Sequence, residues 1–226
     1  MEIAVFCAGA AKHAVTGLAK EFEILTGYKV NLTSAPVGLL KEKLENDEAA
    51  DVAFLTINAL LQLPQILATS ITEIGKVGVG IAVKHGDTKP DISTAAALRQ
   101  TLLAAPSLAY ADPAKGATSG IHFESVLEIL DIADIVKQKS YRLGGFVAEE
   151  VAGGKAALCI QQITEIIPIA GVTLVGPLPP ELQKITAYGA GITATAAQPD
   201  MAAAFIRFIT NPQAKEILRN SGFDVV

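Results

Sequence analysis

The 226-residue chain has no run of basic residues: its 18 Lys and Arg stand singly among 23 Asp and Glu, and the formal net charge is −5. Without a basic stripe nothing can neutralise a row of phosphates, which excludes nucleic acid as a partner. Long apolar runs are missing too. Although half the residues are hydrophobic, every apolar stretch is broken by Gly, Pro, Lys or Gln within about a dozen residues, short of the ~20 that cross a bilayer. No membrane insertion is expected. Cysteine is scarce: Cys7 and Cys159 each lie in an apolar, strand-like run, so two separate buried thiols are expected rather than a disulfide framework. No nucleophile triad, metal-ligand cluster or phosphate-binding loop is present, so no catalytic residue, metal or cofactor is assigned. Met1 runs at once into a strand pattern without a basic n-region, apolar h-region or small-residue cleavage site. That leaves two expectations for location: periplasmic if a leader was removed, cytoplasmic otherwise.

What is present is an alternation of short β runs and amphipathic helices. "EIAVF", "KVNLTS", "DVAFLT", "VGVGIAV", "SLAYA", "AALCI", "TLVGPL" and "TAYGAGITA" read as strands. Helical periodicity covers residues 12–25, 39–46, 57–61, 92–103, 120–130, 147–152, 162–167, 199–210 and 212–220. This is an α/β chain, expected to form mostly parallel sheets flanked by helices, with ligands bound beyond the carboxyl ends of the strands. Two Gly-punctuated β-rich stretches, residues 75–87 and 185–196, flank a middle block with its own βα pattern. They read either as a pair of crossings between two lobes or as long central strands of one sheet.

The turn "FCAGAAKHAV" (Phe6 to Val15) raises the functional question, because a strand passes into a helix through small residues alone. Four such starts occur: Gly9-Ala10-Ala11, Pro36-Val37-Gly38, Thr118-Ser119-Gly120 and Gly144-Gly145-Phe146. A helix start carries about half a positive charge and free N–H donors, so several together bind an anion without Lys or Arg. Each taken singly also reads as a tight turn that needs small residues only for packing.

The order "IAVFCAGA", "FEILTGYKVNLTSAPVGLLKEKLE", "ADVAFLT", "ADPAKGATSGIHFESVLEIL", "GKAALCIQQITE" and "AAFIRFITNPQAKEILRNSGF" resembles type II periplasmic solute-binding proteins of ABC transporters, in particular the molybdate-binding branch. The likeness covers nearly the whole chain. It implies a two-lobed Venus-flytrap fold: lobe I from residues 1–80 plus 191–226, lobe II from residues 81–190, hinge crossings near 79–83 and 188–193, and a small anionic ligand between the lobes. It also implies a membrane permease as partner and a monomer as the working form.

The departures from that branch bear on the ligand. The resemblance implies a Ser at the positions of Ala10 and Val37 and a Tyr near Gln162, and none of these is present. An organic carboxylate or another oxyanion therefore fits better than molybdate. The candidate ligand-binding residues are Gly9, Ala10, Ala11, Val37, Gly38, Thr56, Thr118, Ser119, His122, Gly144, Gly145 and Gln162. Thr56 reads either as a ligand hydroxyl or as a helix cap, and Gln161 and Gln162 either as one cleft-facing amide or as two caps. Lys12, His13 and His122 are taken as the only chargeable cations near these turns. Three function classes follow: a receptor delivering an anion to an importer, an isomerase of an unsaturated carboxylic acid on the same scaffold, and a cytosolic anion sensor. The receptor leads, because an isomerase needs an acid/base pair and only His122 and Cys7 offer themselves as proton carriers.

Overall fold

Ten strands fall into two five-stranded sheets, and the computed structural model, which describes residues 2–225, places each sheet in its own unit. The first unit takes the chain up to Val77 and again from Thr186; the second runs from Gly78 to Ile185. In chain order the first unit contains β1 (Glu2–Ala8), α1 (Gly9–Thr26), β2 (Lys29–Ala35), α2 (Val37–Glu45), β3 (Val52–Thr56), α3 (Ile57–Gln62) and β4 (Thr72–Val77). The second contains β5 (Val79–Lys84), α4 (Ala95–Ala104), β6 (Leu108–Ala111), α5 (Thr118–Ile129), α6 (Ala133–Gln138), β7 (Ser140–Leu143), α7 (Ala148–Ala152), β8 (Leu158–Gln162), α8 (Ile163–Ile166) and β9 (Val172–Pro177). The first is completed by β10 (Thr186–Ile192), α9 (Pro199–Ile209) and α10 (Pro212–Asn220).

The two sheets share a plan. The order is β2-β1-β3-β10-β4 in one and β7-β6-β8-β5-β9 in the other. In each, the first three strands are parallel and the last two pairings antiparallel. Both sheets are thus mixed, and the parallel character expected from the βα alternation is confined to these three-strand blocks. The run "VGVGIAV" is not one strand but two, divided at Gly78 between the sheets. Residues 79–83 therefore lie inside β5 and residues 188–192 inside β10, while the chain changes unit at Val77–Gly78 and Ile185–Thr186. β7 and α6 carry no sequence signal: β7 is an edge strand with Tyr141 and Arg142 exposed, and only Val136 of α6 is buried.

Packing follows side-chain size. On α1 the buried residues Ala10, Ala11, Ala14, Val15, Leu18, Ala19 and Phe22 recur at helical spacing, and Gly27 ends the helix in the left-handed conformation at φ 73°. Phe22 lies 5.0 Å from Phe205 and 5.5 Å from Phe208, centroid to centroid, joining α1 to α9. In the second unit Val79, Ile81, Val83, Leu108, Tyr110 and Ile160 form one core face with Phe123 of α5, while Ala82, Ala109, Ala111 and Cys159 on the other face let α7 approach closely.

Asp51 organises the first unit. It is 4% exposed, and its carboxylate accepts from Ala4 N (2.7 Å) and Gln198 N (2.9 Å), tying β1 to the start of α9. Its own N–H donates to Ala4 O (2.7 Å) and its carbonyl accepts from Thr193 N (3.1 Å). Asp51→Ala is expected to lower stability by about 3 kcal/mol, because two bonds to a charged acceptor are lost and two N–H groups are left without it. Urea unfolding should show a lower midpoint with an unchanged slope; an unchanged midpoint would remove Asp51 from this role.

Candidate functional site

In the first unit two of the expected starts and the Thr56 end of β3 lie at the carboxyl end of the parallel strands. β1 and β2 run parallel with Ala8 opposite Ala35, so α1 and α2 start side by side. β3 pairs with β1 as far as Cys7–Phe54, and two residues further on Thr56 ends β3 where α3 begins. Residues 9–11, 37–38 and 56 are thereby brought together. The side chains of Ala10 and Ala11 are buried at 4% and 0% exposure, so only their N–H groups can serve a ligand. Thr56 caps α3, its hydroxyl oxygen accepting from Ala59 N (3.2 Å).

The second unit has a similar edge. The parallel strands β7, β6 and β8 end together, with Ala111 opposite Leu143 and Tyr110 opposite Ile160. Beyond those ends lie Gly144–Gly145, the turn before α5, and Gln162. Gly120 must be glycine, because a Cβ there would overlap the Ala111 carbonyl; this sets the first turn of α5 directly on the end of β6. Ser119 is 2% exposed, and its hydroxyl has no hydrogen-bond partner among the described residues. Thr118 beside it is half-buried.

Capping and first-turn charge together separate these starts from others, since α6, α7, α8 and α9 also lack a side-chain cap but carry Asp134, Glu149 and Glu150, Glu165 and Asp200 in their first turns. Thr94 and Asn211 cap α4 and α10 through their side chains, and α9 has Pro199 in its first turn. α1, α2 and α5 begin instead on Ala8, Pro36 and Ala117, none of which supplies a side-chain acceptor. Their first-turn N–H groups have no acceptor within the helix. None of the three carries an acidic residue in that turn.

Other expected residues have different places. Gly144 and Gly145 do not open a helix: they form an exposed bend after β7, with Gly145 at φ +78°, and α7 begins only at Ala148. Gln161 holds that bend, accepting from Val147 N (2.9 Å) and donating from Nε2 to Gly145 O (2.8 Å). Neither glutamine side chain caps α8; Gln162 occupies its N-cap position and is buried. His122 donates from Nε2 to Leu182 O (2.8 Å), which fixes the ring's proton on that nitrogen. His13 is exposed. The cation the sequence reading passed over is Lys115, in the short turn Pro113–Lys115 capped by Asp112. A Cβ on Gly144 would sit 3.6 Å from Lys115 Nζ, so this ammonium lies against the Gly144 bend. Its signal was the Lys in "DPAKGATS", three residues ahead of the α5 start.

The thiols are poor proton carriers. Cys7 and Cys159 are free and fully buried, and burial pushes both far above the ordinary thiol range, Lys12 opposing this for Cys7 and Glu165 adding to it for Cys159. Among the described residues no group of His, Cys, Asp and Glu could hold a metal ion, and no helix is long and apolar enough to cross a membrane.

The profile of the family described as bacterial extracellular solute-binding protein matches residues 3–224. The chain belongs to that family. It is 29% identical to an aconitate isomerase of a Pseudomonas species, over 99% of this chain and 88% of that protein. The periplasmic molybdate-binding protein of Azotobacter vinelandii superposes with a TM-score of 0.82 at 19% identity, covering 99% of both chains. The sulfate-binding protein SubI of Mycobacterium tuberculosis H37Rv gives 0.75 at 13% identity, over 100% of this chain and 87% of that one. The fold is thus the two-lobed type II periplasmic-binding-protein fold.

Both thiols stay protonated in the folded chain where an unfolded chain would ionise, so the stability they confer is full at neutral pH and declines as pH rises past the ordinary thiol range. Native protein at neutral pH is expected to show no reaction with a thiol reagent, and both cysteines should react in urea. Rapid native labelling would contradict the burial described.

Proposed function

We propose that the protein is a solute receptor that captures a small organic carboxylate for an ABC-type importer outside the cytoplasmic membrane. Taken unit by unit, the candidate donors are the first-turn N–H groups of α1 and α2 in the first, and those of α5 with the Ser119 hydroxyl in the second. The observation that carries the reading is that these three helices alone among the described ones have neither a side-chain cap nor an acidic residue in the first turn: α3, α4 and α10 are capped, and α6, α7, α8 and α9 carry a first-turn acid. An anion supplies the acceptors that Ala8, Pro36 and Ala117 do not. The relatives support the charge of the ligand, since molybdate, sulfate and aconitate are all anions. Ala10 and Val37 favour the carboxylate: on the resemblance to molybdate-binding proteins, hydroxyl donors for a tetrahedral oxyanion are missing at both positions.

A second reading, an isomerase of an unsaturated polycarboxylate, is favoured by the likeness to aconitate isomerase along nearly the whole chain. Its difficulty is the proton carrier. Cys7 is buried and held protonated, and Nε2 of His122 is engaged by a backbone carbonyl. Catalysis would fall to Nδ1 of His122 or to a carboxylate not yet assigned a role.

Calorimetry with trans-aconitate, cis-aconitate, citrate and molybdate tests both readings, with ultraviolet absorbance following any conversion between the aconitate isomers. At least one tricarboxylate is expected to bind about tenfold or more tightly than molybdate, a difference of ~1.4 kcal/mol, and neither aconitate isomer is expected to be converted. Submicromolar molybdate binding would overturn the carboxylate reading, and steady isomerisation would replace the receptor by the enzyme.

A further inference from the structure

The edge of the second unit holds a feature that the uncapped helix start alone does not require. Lys115 ends the short turn before α5, its side chain exposed and its ammonium against the Gly144 bend. Its neighbour Asp112 is occupied as the cap of that turn, accepting from Ala114 N (3.0 Å), and among the described residues Lys115 forms no ion pair. Three residues beyond, the first turn of α5 presents free N–H groups and the Ser119 hydroxyl, which is 2% exposed and without a partner. A hydroxyl that no other side chain or carbonyl engages is open to a ligand. Gly144, without a side chain, leaves the space beside the ammonium open, and Gln161 holds the following bend through Gly145 O and Val147 N.

We infer that Lys115, the Gly144 bend and the Ser119 end of α5 form a two-point carboxylate subsite: α5 and Ser119 take one carboxylate, and Lys115 takes a second on the same molecule. The subsite selects di- and tricarboxylates over monocarboxylates and over small tetrahedral oxyanions, which cannot reach both points. Lys115 is the specificity-determining residue. An ammonium on a flexible stem suits this task, because it acts as a point charge that follows the second carboxylate among related acids. A charge pair of this kind, partly open to solvent, weakens with ionic strength, whereas N–H donors in a buried first turn respond less. The inference rests on the carboxylate reading given above.

The test is calorimetry with trans-aconitate and citrate on the parent, Lys115→Met, Lys115→Arg and, as control, Lys89→Met, an exposed lysine elsewhere in the second unit. Lys115→Met keeps the length of the stem and removes the charge. It is expected to weaken whichever tricarboxylate the parent binds by about tenfold or more and to flatten the dependence of affinity on NaCl, with an unchanged melting temperature. Lys115→Arg should retain most of the affinity and the salt dependence, and Lys89→Met should match the parent. Parent-like affinity and salt dependence in Lys115→Met would overturn the subsite while leaving the carboxylate receptor standing. A parent that binds molybdate but neither tricarboxylate would overturn the receptor reading and the subsite together.

Discussion

The first N–H groups of an α-helix have no acceptor inside the helix, and the chain treats this fact in two ways. Most helix starts carry their own partner, either a side-chain acceptor, Thr56 for α3, Thr94 for α4 and Asn211 for α10, or an acidic residue in the first turn, as in α6, α7, α8 and α9. At α1, α2 and α5 the residue before the helix is Ala or Pro, and the acceptor is left to come from elsewhere. Charge, ligand class and the role of Lys115 all depend on that difference. An anion is the kind of partner that a helix start without its own acceptor can take, and it can do so in a protein whose net charge is itself negative.

Such starts are useful only if they cannot drift, and the surrounding packing holds them. Asp51 anchors β1, the strand that delivers α1, to α9. Gly120 lets α5 rest on the end of β6, and Gly189 and Gly191 let Ile57, Leu60 and Ile66 lie against β10 without a Cβ in the way. Near the passage between units, Gln183 imitates a strand neighbour: its Oε1 accepts from Val79 N (2.9 Å) and its Nε2 donates to Val79 O (2.8 Å). His122 fastens α5 to Leu182, the residue before that glutamine. The second unit's candidate edge and the start of β5 are therefore held by one continuous set of hydrogen bonds.

Much of this was legible in the residues. β1 to α1 could be read because an apolar strand gives way to Ala14, Val15, Leu18 and Phe22 at helical spacing, and those side chains are buried. What escaped had physical reasons. β7 pairs only at a sheet edge and exposes half its residues, so it lacks both alternation and an apolar run. The split of "VGVGIAV" at Gly78 was hidden because both halves are apolar strands, and only pairing with different partners separates them. Gly144–Gly145 resembled a helix start because glycine serves bends and helix starts alike; the positive φ of Gly145 decides for the bend. Lys115 was overlooked because its place depends on the Gly144 bend, nearly thirty residues away in sequence.

Amide chemical shifts followed by NMR during a titration with trans-aconitate bear most directly on the central claim, since the proposed donors are main-chain N–H groups that no substitution deletes cleanly. The account predicts that the amides of residues 9–11 and 37–38 in the first unit, and of 118–119 in the second, shift saturably, while those of Ala97 and Ala214, already bonded to the caps Thr94 and Asn211, stay where they are. Saturable binding that leaves the α1, α2 and α5 starts unmoved would contradict it, and would return "AGAA" to a turn whose small residues serve packing alone.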